Sequence, residues 1–277
     1  MTDTADRHTI RYRVLNPVEG NPEHEVTVLA TAAEIDALVD DGYFVREGWF
    51  SAEQLSTFAG SLDGIADAER TTPDPRVAEY GGWQYLRFLE RKHPMFAALP
   101  RFEPLVTIAK AVLGPVLRLD EVVGKYGHPK VAGQFVPWHI HMRLIPVPAP
   151  PFFSYPHAIH VFLNIDPIDA ENGQFCLLPG SHRFTRKIYR QDDVADLDGQ
   201  RILSLPAGSC LVMHANLWHR TTTSTAHGGP RRVLLFGYMP AWMSIEERRD
   251  NAAQLTAEHA LQPTDVTMLE LFETFYA

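Results

Sequence analysis

The chain has 277 residues, 45% of them hydrophobic and 21% charged, and a net charge of −9. That balance excludes disorder and collagen-like structure, and the negative charge opposes a phosphate backbone, so nucleic acid is not an expected partner. No stretch approaches the roughly 20 apolar residues of a bilayer span, and the opening MTDTADRHTIRYRV lacks an apolar signal core. A cytoplasmic protein with no membrane partner is expected, with Cys176 and Cys210 buried and reduced in their apolar runs.

Residues 1–30 read as an N-terminal arm holding at most an edge strand from His8 to Leu15. In TAAEIDALVDDG, Thr31 and Glu34 form a capping box, Ile35, Leu38 and Val39 share one face, and Gly42 stops the helix. YFVREGWF follows as a strand. A second helix starts in SAEQLSTFAGSL, where Ser51 with Gln54 fits the capping box and Phe50 with Leu55 the hydrophobic staple. After a polar loop from Thr71 to Arg76, a third helix is expected over Pro104 to Leu113, ended by Gly114 and Pro115. Residues 31–115 are thus expected to form a helical flank.

From 116 to 240 the apolar runs shorten and are separated by Gly, Pro, Asn and Asp, the pattern of sandwich or barrel strands. The runs are VLRLDEVVGKY, AGQFVPWHIHM, HAIHVFLNI, GQFCLLPG, SCLVMHANL and RRVLLFGYM. Residues 241–277 return to helical composition. No linker-like segment divides the chain, so one domain over 1–277 is expected.

Nine of the 13 histidines fall between His128 and His227. In WHIHM, His139 and His141 are two apart, which on a strand puts both on one face about 7 Å apart, within reach of one ion. Alone, such a pair reads first as exposed or hydrogen-bonded strand histidines. A second histidine-bearing run, SCLVMHANLWHR, ends in His219, and three neutral imidazoles together suit a divalent transition metal. His214 on the same run reads as a packing residue. Of Arg231 and Arg232, alternation turns one inward, where a planar guanidinium requires a carboxylate; a surface pair is the other reading. Asn172 and Gly173 mark a hairpin turn closed by Pro179, Gly180, Ser181 and His182. The segment RLIPVPAPPFFSYPHAIH reads as a lid or as rigid packing over the barrel mouth. Its Phe152 and Phe153, with Trp83 and Trp242, are the candidate contacts to a small-molecule substrate.

The order WHIH, LNIDPIDAENGQFCLLPGSHR, PAGSCLVMHANLWHRTTT and RRVLLFGYM, with DGYFVREGWFSAEQL before it, resembles the phytanoyl-CoA hydroxylase family of Fe(II) and 2-oxoglutarate dependent oxygenases. The resemblance covers most of residues 30–242. It implies a mainly β fold, a double-stranded β-helix or cupin-like jelly roll with flanking helices, and an enzyme that oxidises a small molecule with Fe(II), 2-oxoglutarate and O2. It also implies that His139 and His219 are metal ligands and that Arg231, with Thr221, binds 2-oxoglutarate. Lys125 falls where the family often has a lysine, with no role assigned. His141 stands where the family has a carboxylate, which removes one negative charge and moves the donor set toward Zn, Cu or Ni. Glu121 or Asp166 could restore the charge. Two further readings stay open: a three-histidine metalloenzyme that does not use 2-oxoglutarate, either a substrate-chelating dioxygenase or a Zn-type hydrolase, and a non-catalytic binding protein on the same scaffold.

Overall fold

The computed structural model describes residues 8–13, 18, 20, 22–70, 82–141, 156–183 and 194–240. Within the arm, β1 (His8–Arg13) pairs antiparallel with β2 (Glu23–Val28) in a two-stranded sheet of its own. Arg11 pairs across it with Glu25, and Arg13 with Glu23.

The capping boxes form as their sequences dictate. Thr31 accepts the N–H of Glu34 and Glu34 accepts that of Thr31, starting α1 (Ala32–Asp40). The chain then reverses at Gly42 (φ 85°) into β3 (Tyr43–Arg46), where an added Cβ would lie 2.5 Å from His182 Nδ1. Arg46 is 7% exposed and donates to Glu34 (2.6 Å), to Leu29 O and to Pro104 O, joining α1, β3 and the later flank. Arg46→Ala leaves that carboxylate and both carbonyls without their donor, so it should lower stability by roughly 3 kcal/mol, read as a lower urea midpoint at unchanged slope.

Ser51 and Gln54 likewise open α2 (Ala52–Glu69), which buries Phe58, Leu62 and Ala66. The flank is not purely helical. Besides β3 it supplies β4 (Gln84–Leu86), then two short helices, α3 (Leu89–Lys92) and α4 (Pro94–Ala98), before α5 (Glu103–Leu113), which stops at Gly114 (φ 97°). Three-residue β4 carries too little alternation to be legible, and α4 depends on a local cap, His93 accepting the N–H of Met95.

The β region supplies β5 (Leu117–Gly127), β6 (Ile159–Asn164), β7 (Phe175–Leu177), β8 (Arg201–Leu203), β9 (Cys210–His214), β10 (His219–Thr221) and β11 (Arg231–Pro240). They form a six-stranded antiparallel sheet in the order β3-β9-β6-β11-β5-β4 and a three-stranded sheet in the order β10-β7-β8. This is a cupin-like jelly roll. The larger sheet is buried on both faces, which is why β6 and β11 read as near-continuous apolar runs. Val161, Leu163, Leu234 and Phe236 pack with Leu38, Phe58, Leu62 and Ile108 of the helices. On the other face Phe162, Leu211, Val233 and Leu235 meet Phe175 and Leu177 of the smaller sheet. Alternation along β6 therefore turns His160 inward with Phe162.

Two expected strands differ. AGQFVPWHIHM forms no strand; residue 139 makes only an isolated bridge to His219. Pro137 has no N–H to offer a ladder, and the N–H groups of Gln134 and Val136 donate to the hydroxyls of Ser224 and Thr221 instead. SCLVMHANLWHR is broken between β9 and β10, because His214 Nδ1 accepts the N–H of Asn216 and His214 O that of Leu217, a turn that carries the chain from one sheet to the other. Both cysteines are buried and unpaired, and burial pushes their thiols up, Cys176 to about 11 and Cys210 to about 12. Among the described residues no helix is long and apolar enough to cross a membrane. The C-terminal helices, Trp242, Phe152 and Phe153 lie outside the described residues.

Candidate metal centre

The bridge between the His139 segment and β10 is a pair of backbone hydrogen bonds, His139 N to His219 O (2.9 Å) and the reverse (3.1 Å). It holds two histidines from distant parts of the chain side by side, with ring centroids 4.1 Å apart. His139 Nδ1 lies 2.8 Å from Pro137 O and His219 Nδ1 2.9 Å from Leu217 O. A carbonyl only accepts, so each ring donates from Nδ1 and keeps its Nε2 lone pair, the tautomer a metal ligand needs. His141 N donates to Ala215 O, which brings its ring to 4.9 Å from that of His219 and nearly parallel to that of His139.

The Nε2 atoms of His141 and His219 are 3.2 Å apart, and the ligand nitrogens of all three histidines lie within 4.8 Å of one another. Nitrogens about 2.1 Å from one ion are separated by about 3 to 4 Å, so His141 and His219 already have the spacing for a single divalent metal and a side-chain adjustment of under about 1 Å brings in His139. Burial, reinforced by the neighbouring imidazoles, holds His141 and His219 well below the ordinary histidine value and keeps them neutral. Among the described residues no carboxylate joins the three. Asp166 is taken by Arg232, accepting from its N–H (2.7 Å) and its Nε (3.0 Å). The Glu121 side chain lies outside what is described.

His160, which the sequence reading passed over, has its ring 3.9 Å from that of His141. The signal was there: in HAIHVFLNI, alternation places it on the same face as Phe162, toward the interior. His214 instead packs with His157 and His182 outside the triad.

Beside the three histidines is a cavity bounded by His139, His219, Thr221, Lys125, Phe175 and Arg231. Thr221 Oγ1 accepts the N–H of Val136, which leaves its hydroxyl hydrogen to donate. The two arginines of β11 divide as alternation requires: Arg232 pairs with Asp166 and Asp63, while Arg231 turns inward and is 2% exposed. Among the described residues Arg231 has no ion pair, and its Nε and Nη2 have no hydrogen-bond partner. Those two nitrogens point the same way along one edge of the guanidinium and match the two oxygens of a carboxylate. Burial lowers its pKa to about 9, which still leaves it a cation at neutral pH. A buried cation with an open bidentate edge fits the distal carboxylate of a 2-oxo diacid. Trp83 is fully buried and lies against the Arg231 guanidinium rather than in the cavity wall.

A jelly roll that gathers histidines beside a carboxylate-ready arginine defines the class of 2-oxoglutarate dependent non-haem oxygenases. The model of the Phytanoyl-CoA dioxygenase (PhyH) family matches residues 38–233. The chain belongs to that family and is an Fe(II)/2-oxoglutarate oxygenase. No curated protein matches the sequence. Similar solved structures include HygX from Streptomyces hygroscopicus with nickel, 2-oxoglutarate and hygromycin B bound, at 18% identity and TM-score 0.64 over 77% of this chain and 89% of that one. EctD from S. alaskensis with bound Fe gives 18% identity and TM-score 0.62 over 86% of each chain. The non-heme alpha ketoglutarate dependent carbocyclase SnoK from nogalamycin biosynthesis gives 16% and 0.60 over 76% of this chain and 84% of that one. At these identities the likeness is one of fold.

Proposed function

We propose that His139, His141 and His219 hold Fe(II), and that Arg231 and Thr221 bind the distal carboxylate of 2-oxoglutarate, so that the chain oxidises a small molecule at the expense of O2. The observation that carries this is the convergence of three imidazole nitrogens in a cavity shared with the Nε/Nη2 edge of Arg231, which has no partner among the described residues. When bound, iron with 2-oxoglutarate supplies oxidative decarboxylation to succinate and CO2, coupled to oxidation of the substrate. The chain's own part is positional and electrostatic. Pro137 O and Leu217 O aim two imidazoles, and Arg231 fixes one end of the cosubstrate and compensates its charge. The apolar packing of Phe162 against His141 and His219 keeps bulk water from the reacting end. Hydroxylation of a small organic molecule is the reaction proposed, in keeping with the hygromycin B seen in HygX. The unpaired, buried thiols suit a reducing cytoplasm.

The test is anaerobic. Fe(II) and 2-oxoglutarate added to the metal-free protein should give a visible metal-to-ligand charge-transfer band, and admitting O2 should convert 2-oxoglutarate to succinate. Absence of both the band and succinate rejects the proposal.

The all-nitrogen donor set also has a measurable signature. Imidazole in place of a carboxylate favours later first-row metals, so His141→Asp should lower the ratio of Zn(II) to Fe(II) affinity on the order of tenfold. Competition dialysis with metal analysis reads that ratio, and an unchanged value means His141 is not a ligand.

A further inference from the structure

Arg46, Arg220 and Arg232 are each held by a carboxylate: Glu34, Asp196, and Asp166 with Asp63 respectively. Arg231 is more deeply buried than any of them and is held by rings. The Trp83 ring centroid lies 4.5 Å from its guanidinium carbon and the Phe175 centroid 4.8 Å from it. A ring face restrains a guanidinium without neutralising it or occupying its in-plane donors. Gly127 makes room for this. It is the register partner of Arg231 on β5, and an added Cβ there would come within 3.2 Å of Arg231 Cβ and 3.4 Å of the Trp83 ring. A glycine inside a strand marks such a close approach.

We propose that Trp83 and Phe175 clamp the plane of the Arg231 guanidinium, and that this clamp makes the pocket selective for the length of the dicarboxylate cosubstrate. The proposal rests on Arg231 receiving 2-oxoglutarate. The histidines and Arg231 line the same cavity, so a guanidinium held in one plane accepts both oxygens of a carboxylate side-on at one separation from the metal only. A diacid one methylene longer meets that edge out of plane. With the clamp loosened, the guanidinium turns to follow the longer acid, and discrimination falls while binding weakens. Trp83 is thus a positioning residue acting through Arg231, a role that uses the face of a fully buried ring.

The experiment is anaerobic calorimetry of the Fe(II)-loaded protein with 2-oxoglutarate and with 2-oxoadipate. The unsubstituted protein should prefer 2-oxoglutarate by about tenfold or more. Trp83→Leu should raise the 2-oxoglutarate Kd by about tenfold and bring the two diacids to within about threefold of each other. Trp83→Phe, which keeps a ring face, should restore most of the preference. If Trp83→Leu does not fold, Phe175→Leu removes the other jaw and should give the same loss of preference. A preference ratio that stays at the unsubstituted value in a folded clamp variant, whether or not both acids bind more weakly, overturns the clamp alone. No 2-oxoglutarate binding by the unsubstituted, metal-loaded protein overturns the site reading and the clamp with it.

Discussion

His219→Ala should bind Fe(II) more than about 100-fold more weakly than the unsubstituted protein, because outer-shell partners alone are worth 10–100-fold and this change removes a ligand. It should also form no succinate. The loss follows from where His219 sits. It is 2% exposed, its Nδ1 is fixed by Leu217 O, and its backbone exchanges both hydrogen bonds with His139. Those backbone bonds survive the substitution, so His139 and His141 stay in place and offer two donors where three were needed. The fold loses a buried imidazole and leaves Leu217 O short of a donor, a cost of about 1–3 kcal/mol. His214→Ala is the matched control. It too removes a fully buried histidine, from the packing with His157 and His182 and from the Asn216 N–H, but keeps the backbone bond from Leu217 N to His214 O that closes the turn, so it should lose a similar amount of stability and still bind one Fe(II). Metal analysis after gel filtration, together with thermal denaturation, separates the two variants. Equal iron content in both would remove His219 from the ligand set.

Arg231→Met should produce changes of opposite sign. Affinity for 2-oxoglutarate should fall by about 100-fold or more, since a buried bidentate charge pair is worth roughly 2–5 kcal/mol. Stability without 2-oxoglutarate should rise, by roughly 1–4 kcal/mol, because a buried cation with two unpartnered donors is exchanged for an apolar chain of similar length. The depressed pKa of about 9 states the same cost. The unfolded chain binds the proton more readily than the folded one, so below pH 9 the protonated arginine opposes folding. A structural arginine such as Arg46, paired with Glu34 and two carbonyls, gives the contrary result: its removal destabilises. Thermal denaturation with and without 2-oxoglutarate measures both effects. A fall in stability without 2-oxoglutarate would mean that Arg231 is satisfied within the fold.

The sequence was legible where one local rule decides the outcome. Both capping boxes, the stops at Gly42 and Gly114, the inward and outward division of Arg231 and Arg232, and the buried thiols all follow from spacing and alternation. It was less legible where tertiary partners replace the local rule. The His139 segment alternates like a strand, yet Ser224 and Thr221 hydroxyls take N–H groups that a ladder would have used. The run ending in His219 is interrupted by His214 and Asn216, but only the hydrogen bonds made there show that the interruption is the turn that moves His219 into the smaller sheet. The same effect hid His160, whose nearness to His141 depends on packing between sheets rather than on spacing along the chain. Trp83 reads as a candidate substrate contact, and its place against the Arg231 guanidinium instead depends on tertiary packing that spacing does not signal.

The most direct measurement is the anaerobic crystal structure of the protein soaked with Fe(II) and 2-oxoglutarate. One ion should bind Nε2 of His139, His141 and His219 at about 2.1 Å, with the distal carboxylate of 2-oxoglutarate on the Nε/Nη2 edge of Arg231. Iron elsewhere, or an Arg231 edge that stays unpaired with 2-oxoglutarate present, would contradict the account.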